Sequence, residues 1–233
     1  MTTLLNIRMK QRTLVMVAIV VTIAAITYGI AVPATTSFDP LNETVLPTRA
    51  DVACVAPPLL DHSVAPHSTL TYRMIGFDES HDPHTEWADL CVQRAFDTWN
   101  DVLQDPDIRF VHQRGATPST NLVVVLSSLG ASLGGGTTAV IRGDDGYLRH
   151  TGIIINSDAQ AVSSCLGYYK VALHEIGHVL GLGHPANEQN EASIMNNMAC
   201  ANDCRDAIPD VPTTCDVEQV RYASQLPRFA VSQ

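Results

Sequence analysis

The residues from His174 to His184 have the types and spacing of a catalytic metal site. They form the pattern H-E-x-x-H-x-x-G-x-x-H, in which His174, His178 and His184 are the histidines. Residues four apart in a helix project from one face, so His174 and His178 could bind the same ion. A turn at Gly181 would bring His184 to that ion, because glycine adopts the left-handed backbone conformation without steric cost. Three nitrogen ligands that leave one position open are typical of catalytic rather than structural zinc.

The acidic residue of this pattern, Glu175, could act on a water without binding the metal. Zinc lowers the pKa of a bound water to about 7, which supplies hydroxide at neutral pH. Glu175 would accept the proton as a general base and later deliver it to the leaving amine. The pattern therefore predicts a zinc-dependent hydrolase that needs no Ser or Cys nucleophile. An ordinary amphipathic helix with surface histidines is the alternative, and it would produce the five fixed residues only by coincidence.

A second short motif follows the histidines, at Ser193-Ile194-Met195-Asn196. The two motifs together resemble the metzincin metalloproteases, in which a Met-turn follows the zinc-binding helix. The resemblance makes Met195 the methionine that packs beneath the metal. A plain core methionine is the other interpretation, and the two overlap because the Met-turn is itself a packed apolar floor.

The start of the domain is similar to one branch of that family, the matrixins. The residues that carry the likeness are Leu70-Thr71-Tyr72-Arg73-Met74, then Ala95, Phe96 and Trp99, then a strand ending at Phe110. Asn196-Asn197 also stand where the astacin-like and serralysin-like branches have a tyrosine. Their presence favours the matrixin branch, and the resemblance covers about residues 69–225.

The resemblance implies an α+β fold of the zincin or metzincin type. Such a fold has a twisted, mostly parallel sheet with an antiparallel edge strand, a backing helix, an active-site helix and a C-terminal helix. The alternation and helical spacing of apolar residues divide the chain in a compatible way. The predicted strands are 70–75, 108–111, 121–126, 137–142 and 151–156. The predicted helices are 86–103, one that starts near Tyr168, and one capped by Thr213 or Thr214.

The strand predicted at 137–142 is where a substrate is expected to bind. In metzincins the edge strand lines the cleft and pairs with an extended substrate backbone, which is β-augmentation. The resemblance assigns this role to Thr138, Ala139 and Val140. It also implies that the loop after Met195 forms one wall of the pocket for the first substrate residue after the cut bond. The expected function is therefore that of a zinc-dependent endopeptidase with a peptide or protein substrate.

One catalytic zinc ion is the expected cofactor. Vertebrate-type matrixins have several His and Asp residues near the edge strand that hold a structural zinc and calcium, whereas this chain offers His150 and Asp144-Asp145. A second, structural zinc is therefore not expected, and a Ca2+ ion at the acidic turn is disfavoured. The remaining histidines have no ligand spacing and are predicted to lie on the surface: His62, His67, His81, His84 and His112.

The N-terminal segment predicts export. Residues 1–12 are a basic flank, and the twenty residues 13–32 contain no charged side chain. Such a segment could be a transmembrane anchor or a removed signal peptide, and both interpretations stay open. In either case we expect a secreted protein or one anchored to the outer face of the membrane. Residues 33–66 are predicted to be a linker or short pro-segment, and residues 67–233 the matrixin-like metalloprotease domain.

The charge of the chain argues against nucleic acid as a partner. The first 34 residues hold three basic and no acidic residues, so the rest of the chain carries 11 basic and 24 acidic residues. The resulting net charge of −13 would repel a phosphate backbone. We expect a monomer that acts on peptides.

All six cysteines lie beyond the hydrophobic segment, which agrees with export and predicts three disulfides. Six cysteines allow 15 pairings, among which sequence cannot choose. In matrixins a pro-segment cysteine binds the zinc and keeps the enzyme latent, and Cys54 lies 16 residues before Leu70. Its surroundings lack the P-R-C-G-x-P-D signature of that switch, and a switch would leave one cysteine unpaired. We therefore favour a disulfide, with Cys91 as the candidate partner of Cys54.

Two other functions are compatible with a zinc motif. One is a zinc-binding but catalytically silent interaction domain, which would not need Glu175. The other is a zinc hydrolase with a non-peptide substrate. The H-E-x-x-H pattern alone would allow it, but the third histidine and the Met-turn favour peptides.

Overall fold

The fold is built on a five-stranded sheet with helices packed against it. In this computed structural model the described residues are 54, 56–76, 83–103, 108–114, 120–131, 133–159, 162–186, 193–196 and 209–226. Within these ranges the strands are β1 (Ser68–Ile75), β2 (Ile108–His112), β3 (Leu122–Ser127), β4 (Gly136–Arg142) and β5 (Leu148–Asn156). The helices of the same ranges are α1 (Pro83–Leu103), α2 (Cys165–Val179) and α3 (Thr214–Gln225).

The sheet has the strand order β2-β1-β3-β5-β4 and is parallel except at one edge. β1 pairs in parallel with β2 and with β3, and β3 pairs in parallel with β5. β4 pairs with β5 in the antiparallel direction, because a tight turn in which Gly146 has a φ of 76° joins the two strands. The predicted mostly parallel sheet with an antiparallel edge strand is confirmed.

α1 backs the sheet and also packs against α2. Phe96 of α1 stacks on Tyr72 of β1, with ring centroids 3.8 Å apart. On its other side, the indole N–H of Trp99 donates to the carbonyl of Leu173 in α2 at 3.0 Å. Phe96 and Trp99 are both fully buried. The aromatic residues that suggested the matrixin branch therefore hold α2 at a fixed position relative to the sheet.

Two helices begin earlier than their apolar spacing indicated. α1 begins at Pro83, because proline has no N–H to satisfy in the first turn and its fixed φ suits that position. α2 begins at Cys165 instead of near Tyr168. Its start is fixed by Ser164, whose side chain accepts a backbone N–H of the first turn at 3.1 Å.

An N-terminal strap, defined as residues 56–64, packs against the domain although its sequence pattern indicated a linker or pro-segment. Leu59 forms an antiparallel bridge with Leu182, which follows α2, and Ser63 forms a parallel bridge with Tyr147. Three consecutive residues at the end of the strap are buried. The strap is thus part of the same packed unit as the sheet.

Two disulfides join segments that are distant in the sequence. Cys54 is bonded to Cys215 and Cys91 to Cys165, with separations of 161 and 74 residues. The disulfide interpretation of Cys54 is confirmed, but its suggested pairing with Cys91 is wrong. The reason is that α1 and α2 pack side by side, which places Cys91 next to the first residue of α2. The remaining cysteines, Cys200 and Cys204, lie outside the described residues.

Among the residues that the structure describes, no helix is both long and apolar enough to cross a bilayer. The basic flank 1–12 and the uncharged segment 13–32 lie outside those residues. Their prediction as an export segment stays a prediction.

Replacing Cys54 with serine is expected to destabilise the protein without increasing peptide cleavage. The disulfide with Cys215 constrains 161 residues of unfolded chain, and losing it should cost about 2–5 kcal/mol. Denaturant unfolding of Cys54→Ser measures this loss, and the double variant Cys54→Ser/Cys215→Ser controls for the exposed thiol. A latency switch would give the opposite result, spontaneous activity in Cys54→Ser, and a gain of activity would contradict the disulfide role.

Candidate active site

α2 holds the motif residues rigidly because nearly all of its surface is covered. Every residue from Cys165 to Val179 is buried except Leu166 and His178. A helix that is apolar on most sides is stable only inside a core, and here α1, β4 and β5 pack around it. The side chains that project from α2 therefore have little freedom to move.

The chain turns back after α2 at Gly181, which has a φ of 96°. The N–H of Gly181 donates to the carbonyl of His178, and that of Leu182 to the carbonyl of Gly177, both at 3.0 Å. These two bonds are the Schellman arrangement of a helix C-terminus, which needs a left-handed residue. A Cβ at this position would also lie 2.5 Å from a carbonyl oxygen of the strap. The turn brings His184 back to the histidines of α2.

The ring nitrogens of the three histidines converge on one point. His184 Nε2 lies 3.1 Å from both His174 Nε2 and His178 Nε2. The Nδ1 atoms of His174 and His178 each contact a backbone carbonyl at 2.8 Å. Because a carbonyl only accepts hydrogen bonds, these Nδ1 atoms carry the protons and the Nε2 atoms present lone pairs. Converging lone pairs repel one another unless a cation lies between them, so these residues fit a zinc ion.

Burial keeps the two histidines of α2 uncharged. Removal from water is the main cause that lowers the pKa of His174 to about 3, and the nearby His178 adds to it. Burial also lowers the pKa of His178 to about 4. The neutral imidazole is the form that binds a metal. The two residues are therefore ready to act as ligands at neutral pH.

The Met-turn, residues 193–196, lies against α2 and supports one ligand. Met195 is fully buried, and its sulfur touches Gly177 so closely that a Cβ there would clash with it. The carbonyl of Ile194 accepts the proton on His174 Nδ1 at 2.8 Å. The turn is thus both an apolar floor under α2 and the group that orients His174.

Asp216 of α3 holds the Met-turn in place. Its buried carboxylate accepts hydrogen bonds from Ser193 Oγ at 2.6 Å and from the N–H of Ile194 at 3.3 Å. It also accepts the N–H and the hydroxyl of Thr213, both at 2.8 Å, and Thr213 is the residue that caps α3. Burial raises the pKa of Asp216, and these hydrogen bonds oppose that rise. One carboxylate therefore joins the start of α3 to the loop that orients His174.

Glu175 follows His174 in the chain, but its carboxylate does not belong to the group formed by the three converging histidine nitrogens. Its side chain is buried, which raises its pKa to about 7. The hydroxyl of Thr138 on β4 lies 2.6 Å from Glu175 Oε2 and 3.2 Å from the Glu175 carbonyl, and its bond to the carboxylate opposes that rise in pKa. Of the other residues assigned to substrate binding, Ala139 is exposed and Val140 half-buried. The structure thus brings the predicted edge strand into contact with the predicted base.

His62 was predicted to lie on the surface, and that prediction is wrong. It is buried in the strap, and its Nε2 donates to the carbonyl of His178 at 2.8 Å. The strap also binds the turn after α2, since the N–H of Leu60 donates to the carbonyl of Gly181 at 2.8 Å. No local spacing marks His62, because its partner is 116 residues away. The strap supports the segment that carries His184, the third histidine of the motif.

A buried lysine on α2 is another residue that the sequence pattern did not single out. Lys170 Nζ lies 3.0 Å from Asp210 Oδ1, and the hydroxyl of Tyr169 donates to the carbonyl of Asp210 at 2.5 Å. Asp210 lies at the end of the loop that follows the Met-turn, the loop expected to wall the substrate pocket. Its residues 197–208 lie outside the described residues. The described end of that loop is therefore held against α2.

The acidic turn Asp144-Asp145 was considered as a calcium site, but Asp145 already contacts other residues of the chain. Asp145 forms an ion pair with Arg149 and accepts the N–H of Tyr147 at 3.1 Å. In the part of the chain that the structure describes, only the three motif histidines bring three metal-binding groups together. Two of the remaining histidines, His67 and His150, are exposed, and His112 is half-buried. The side chains of His81 and His84 lie outside the described part of the structure.

Replacing Gly181 with alanine is expected to weaken zinc binding without removing a ligand. The left-handed backbone and the nearby strap carbonyl leave no room for a Cβ, so the turn should shift and displace His184. We expect a loss of about 1–3 kcal/mol in stability and roughly 10–100-fold in zinc affinity. Gly134→Ala is the control, because Gly134 has no left-handed φ and an added Cβ there would have no neighbour within 4 Å. Equal losses in the two variants would show that the backbone argument is wrong.

Comparison with known proteins identifies the family. Residues 64–207, more than half of the chain, match the Matrixin family model. No curated protein sequence gives a significant match. The chain is similar to the solved structure of metalloproteinase-II from Bacteroides fragilis, at 13% identity and a TM-score of 0.38, over 73% of this chain and 58% of that one. The chain thus spans less than two thirds of that relative's length. The family match, together with the zinc motif, shows that the chain belongs to the matrixin family of zinc metalloproteases, with the metzincin α+β fold.

Proposed function

We propose that this metalloprotease is an endopeptidase in which Glu175 is the general base. The observation that carries the proposal is the position of Glu175. Its carboxylate is buried beside three converging imidazole nitrogens without belonging to the ligand group. A domain that only bound zinc would gain nothing from burying a carboxylate there, since burying it costs free energy. The arrangement therefore favours a catalytic site over a silent zinc-binding domain.

The chemistry is divided between the metal and the side chains. Zinc held by His174, His178 and His184 would supply a Lewis acid that activates water and polarises the scissile carbonyl. Glu175 would orient the water and accept one of its protons as the oxygen adds to the carbonyl carbon. When the C–N bond breaks, Glu175 would deliver that proton to the amine and return to its starting state. The Nδ1 protons of His174 and His178 are bound to backbone carbonyls, so these side chains take no part in the proton transfer.

A peptide substrate is supported by the position of β4. Within the described part of the sheet it is the last strand, so its outer edge is open. An open edge can pair with an extended peptide through backbone hydrogen bonds. We assign this pairing to Thr138, Ala139 and Val140. Because Thr138 also touches Glu175, a peptide paired with β4 would pass close to the proposed base, which favours a peptide over a non-peptide substrate.

The chain is proposed to act outside the cytoplasm as a single polypeptide. Cys54–Cys215 and Cys91–Cys165 are disulfides, which persist in oxidising compartments. Residues 13–32 would supply the export signal or an anchor in the membrane. All three ligand histidines and Glu175 come from one chain, so a monomer is sufficient for the proposed reaction.

The decisive test replaces Glu175 with glutamine. Glutamine keeps the shape of the side chain but takes up no proton, so cleavage of a peptide library should fall by at least ~100-fold while zinc stays bound. His178→Gln is the matched variant, and it should lose zinc and activity together. Both are best made in a protein that begins before Cys54, so that the strap and its disulfide are kept. Near-wild-type turnover in Glu175→Gln would overturn the proposed role.

Removing the metal should abolish cleavage and lower thermal stability. Zinc that binds only the folded site adds about 3 kcal/mol at a concentration ~100-fold above its Kd, and chelation removes this stabilisation. One equivalent of zinc should restore both cleavage and melting temperature. Calcium or magnesium should not, because these ions prefer oxygen ligands. Cleavage that survived complete chelation would contradict a zinc mechanism.

A further inference from the structure

The edge strand β4 presents two residues of one face to the side chain of Glu175. Gly136 and Thr138 are two positions apart, so they lie on the same face of the strand, and that face packs against α2. Thr137 and Ala139, which alternate with them, are exposed. The inner face of β4 is thus formed around Glu175, whereas its outer edge is open to a peptide.

The contact of Thr138 with the carboxylate is direct and short. Its hydroxyl lies 2.6 Å from Glu175 Oε2, and 3.2 Å from the backbone carbonyl of the same residue. A hydroxyl that donates to a carboxylate forms a charge-assisted hydrogen bond, which is stronger than one between neutral groups. Because only one hydroxyl proton is available, the shorter contact with Oε2 is the one that carries it. The bond engages Oε2 and so fixes the orientation of the carboxylate.

Gly136 completes the enclosure of this side chain. A Cβ at Gly136 would lie 2.8 Å from Glu175 Oε1 and 2.9 Å from its Cγ. It would also lie 2.9 Å from a methyl group of Val171 on α2. The backbone of β4 therefore approaches the Glu175 side chain as closely as a strand can. Any larger residue would have to push the carboxylate away.

β4 itself is well placed to hold a side chain still. It pairs with β5 along its whole length. In addition, the hydroxyl of Thr151 on β5 donates to the carbonyl of Ala139 at 2.8 Å, next to Thr138 in the chain. The hydroxyl of Thr138 is therefore attached to a fixed backbone and not to a free loop.

We propose that Thr138 is the positioning residue of the catalytic base. The absence of a side chain at Gly136 leaves the room that Glu175 needs to take this position. A glutamate side chain has three rotatable bonds, and a carboxylate that turned away from the water would be inactive. The hydrogen bond to Oε2 selects one orientation before substrate arrives. This inference rests on the proposed role of Glu175. It deepens that role, because the strand that binds the peptide is then also the strand that aims the base.

The test compares three threonine variants in zinc-loaded protein. Thr138→Val keeps the shape but removes the hydroxyl, so kcat should fall by about 10–100-fold while KM stays within about threefold. Thr138→Ser restores a hydroxyl at the same place and should recover most of the lost kcat. Thr69→Val is the control, because Thr69 is exposed on β1, which is not next to the edge strand, and its kcat should equal that of the wild type. Zinc content and melting temperature of each variant show whether it is folded and loaded.

A binding measurement gives a readout that does not depend on turnover. A peptide hydroxamate chelates the metal and shares its proton with the base, whereas a peptide thiol binds the metal alone. Thr138→Val should weaken hydroxamate binding by about the factor lost in kcat and leave thiol binding unchanged. Equal affinities for the hydroxamate in Thr138→Val and the wild type, together with equal kcat, would overturn the positioning role.

The two proposals fail in different ways. If Glu175→Gln is inactive and Thr138→Val behaves as wild type, Glu175 keeps its role and the inference about Thr138 is wrong. If Glu175→Gln retains activity, the general-base assignment fails and the inference fails with it. A uniform loss of zinc and stability in Thr138→Val that Thr138→Ser does not reverse would show a structural role only.

Discussion

Three imidazole nitrogens must be held close to one point before the metal arrives. His184 Nε2 lies 3.1 Å from the corresponding atoms of His174 and His178. Imidazoles free to rotate would turn apart, and every binding event would have to order them again at a cost in entropy. Backbone carbonyls prevent this, because Ile194 fixes Nδ1 of His174 and Leu182 fixes Nδ1 of His178. The histidines are therefore preorganised by two non-helical segments, the Met-turn and the turn after α2, as well as by α2 itself.

Those two segments are held by one continuous set of contacts. The Met-turn is bound by Asp216 at the start of α3. The neighbouring residue, Cys215, is bonded to Cys54. Shortly after Cys54 the strap runs along the turn that follows α2, where Leu59 forms a bridge with Leu182. The start of α3 is thus connected to both segments whose carbonyls orient the motif histidines, although neither the strap nor α3 contains one of these three histidines.

The sequence could reveal the parts of this site that depend on neighbours along the chain. The zinc motif is local, since one helix and one turn produce its geometry, and the order of strands and helices follows from periodicities that report which face is buried. The bond between Thr138 and Glu175 spans 37 residues, and that between His62 and its partner spans 116. Contacts of this kind depend on how layers pack against each other and leave no period in the sequence. The same limit explains why the partner of Cys54 could not be chosen among 15 pairings.

Burial acts in opposite directions on the groups of the site. It lowers the pKa of His174 to about 3 and of His178 to about 4, and it raises that of Glu175 to about 7. For the histidines the shift favours binding, because the neutral ring is the ligand. For Glu175 it opposes the ionised form that a base needs near neutral pH. Two partners would stabilise the ionised form of Glu175 and so oppose this rise in pKa. They are a dication bound at the histidines and the hydroxyl that Thr138 directs at Oε2. An apolar side chain in place of Thr138 would remove one of these two partners, so a hydroxyl on the inner face of the edge strand suits the proposed base.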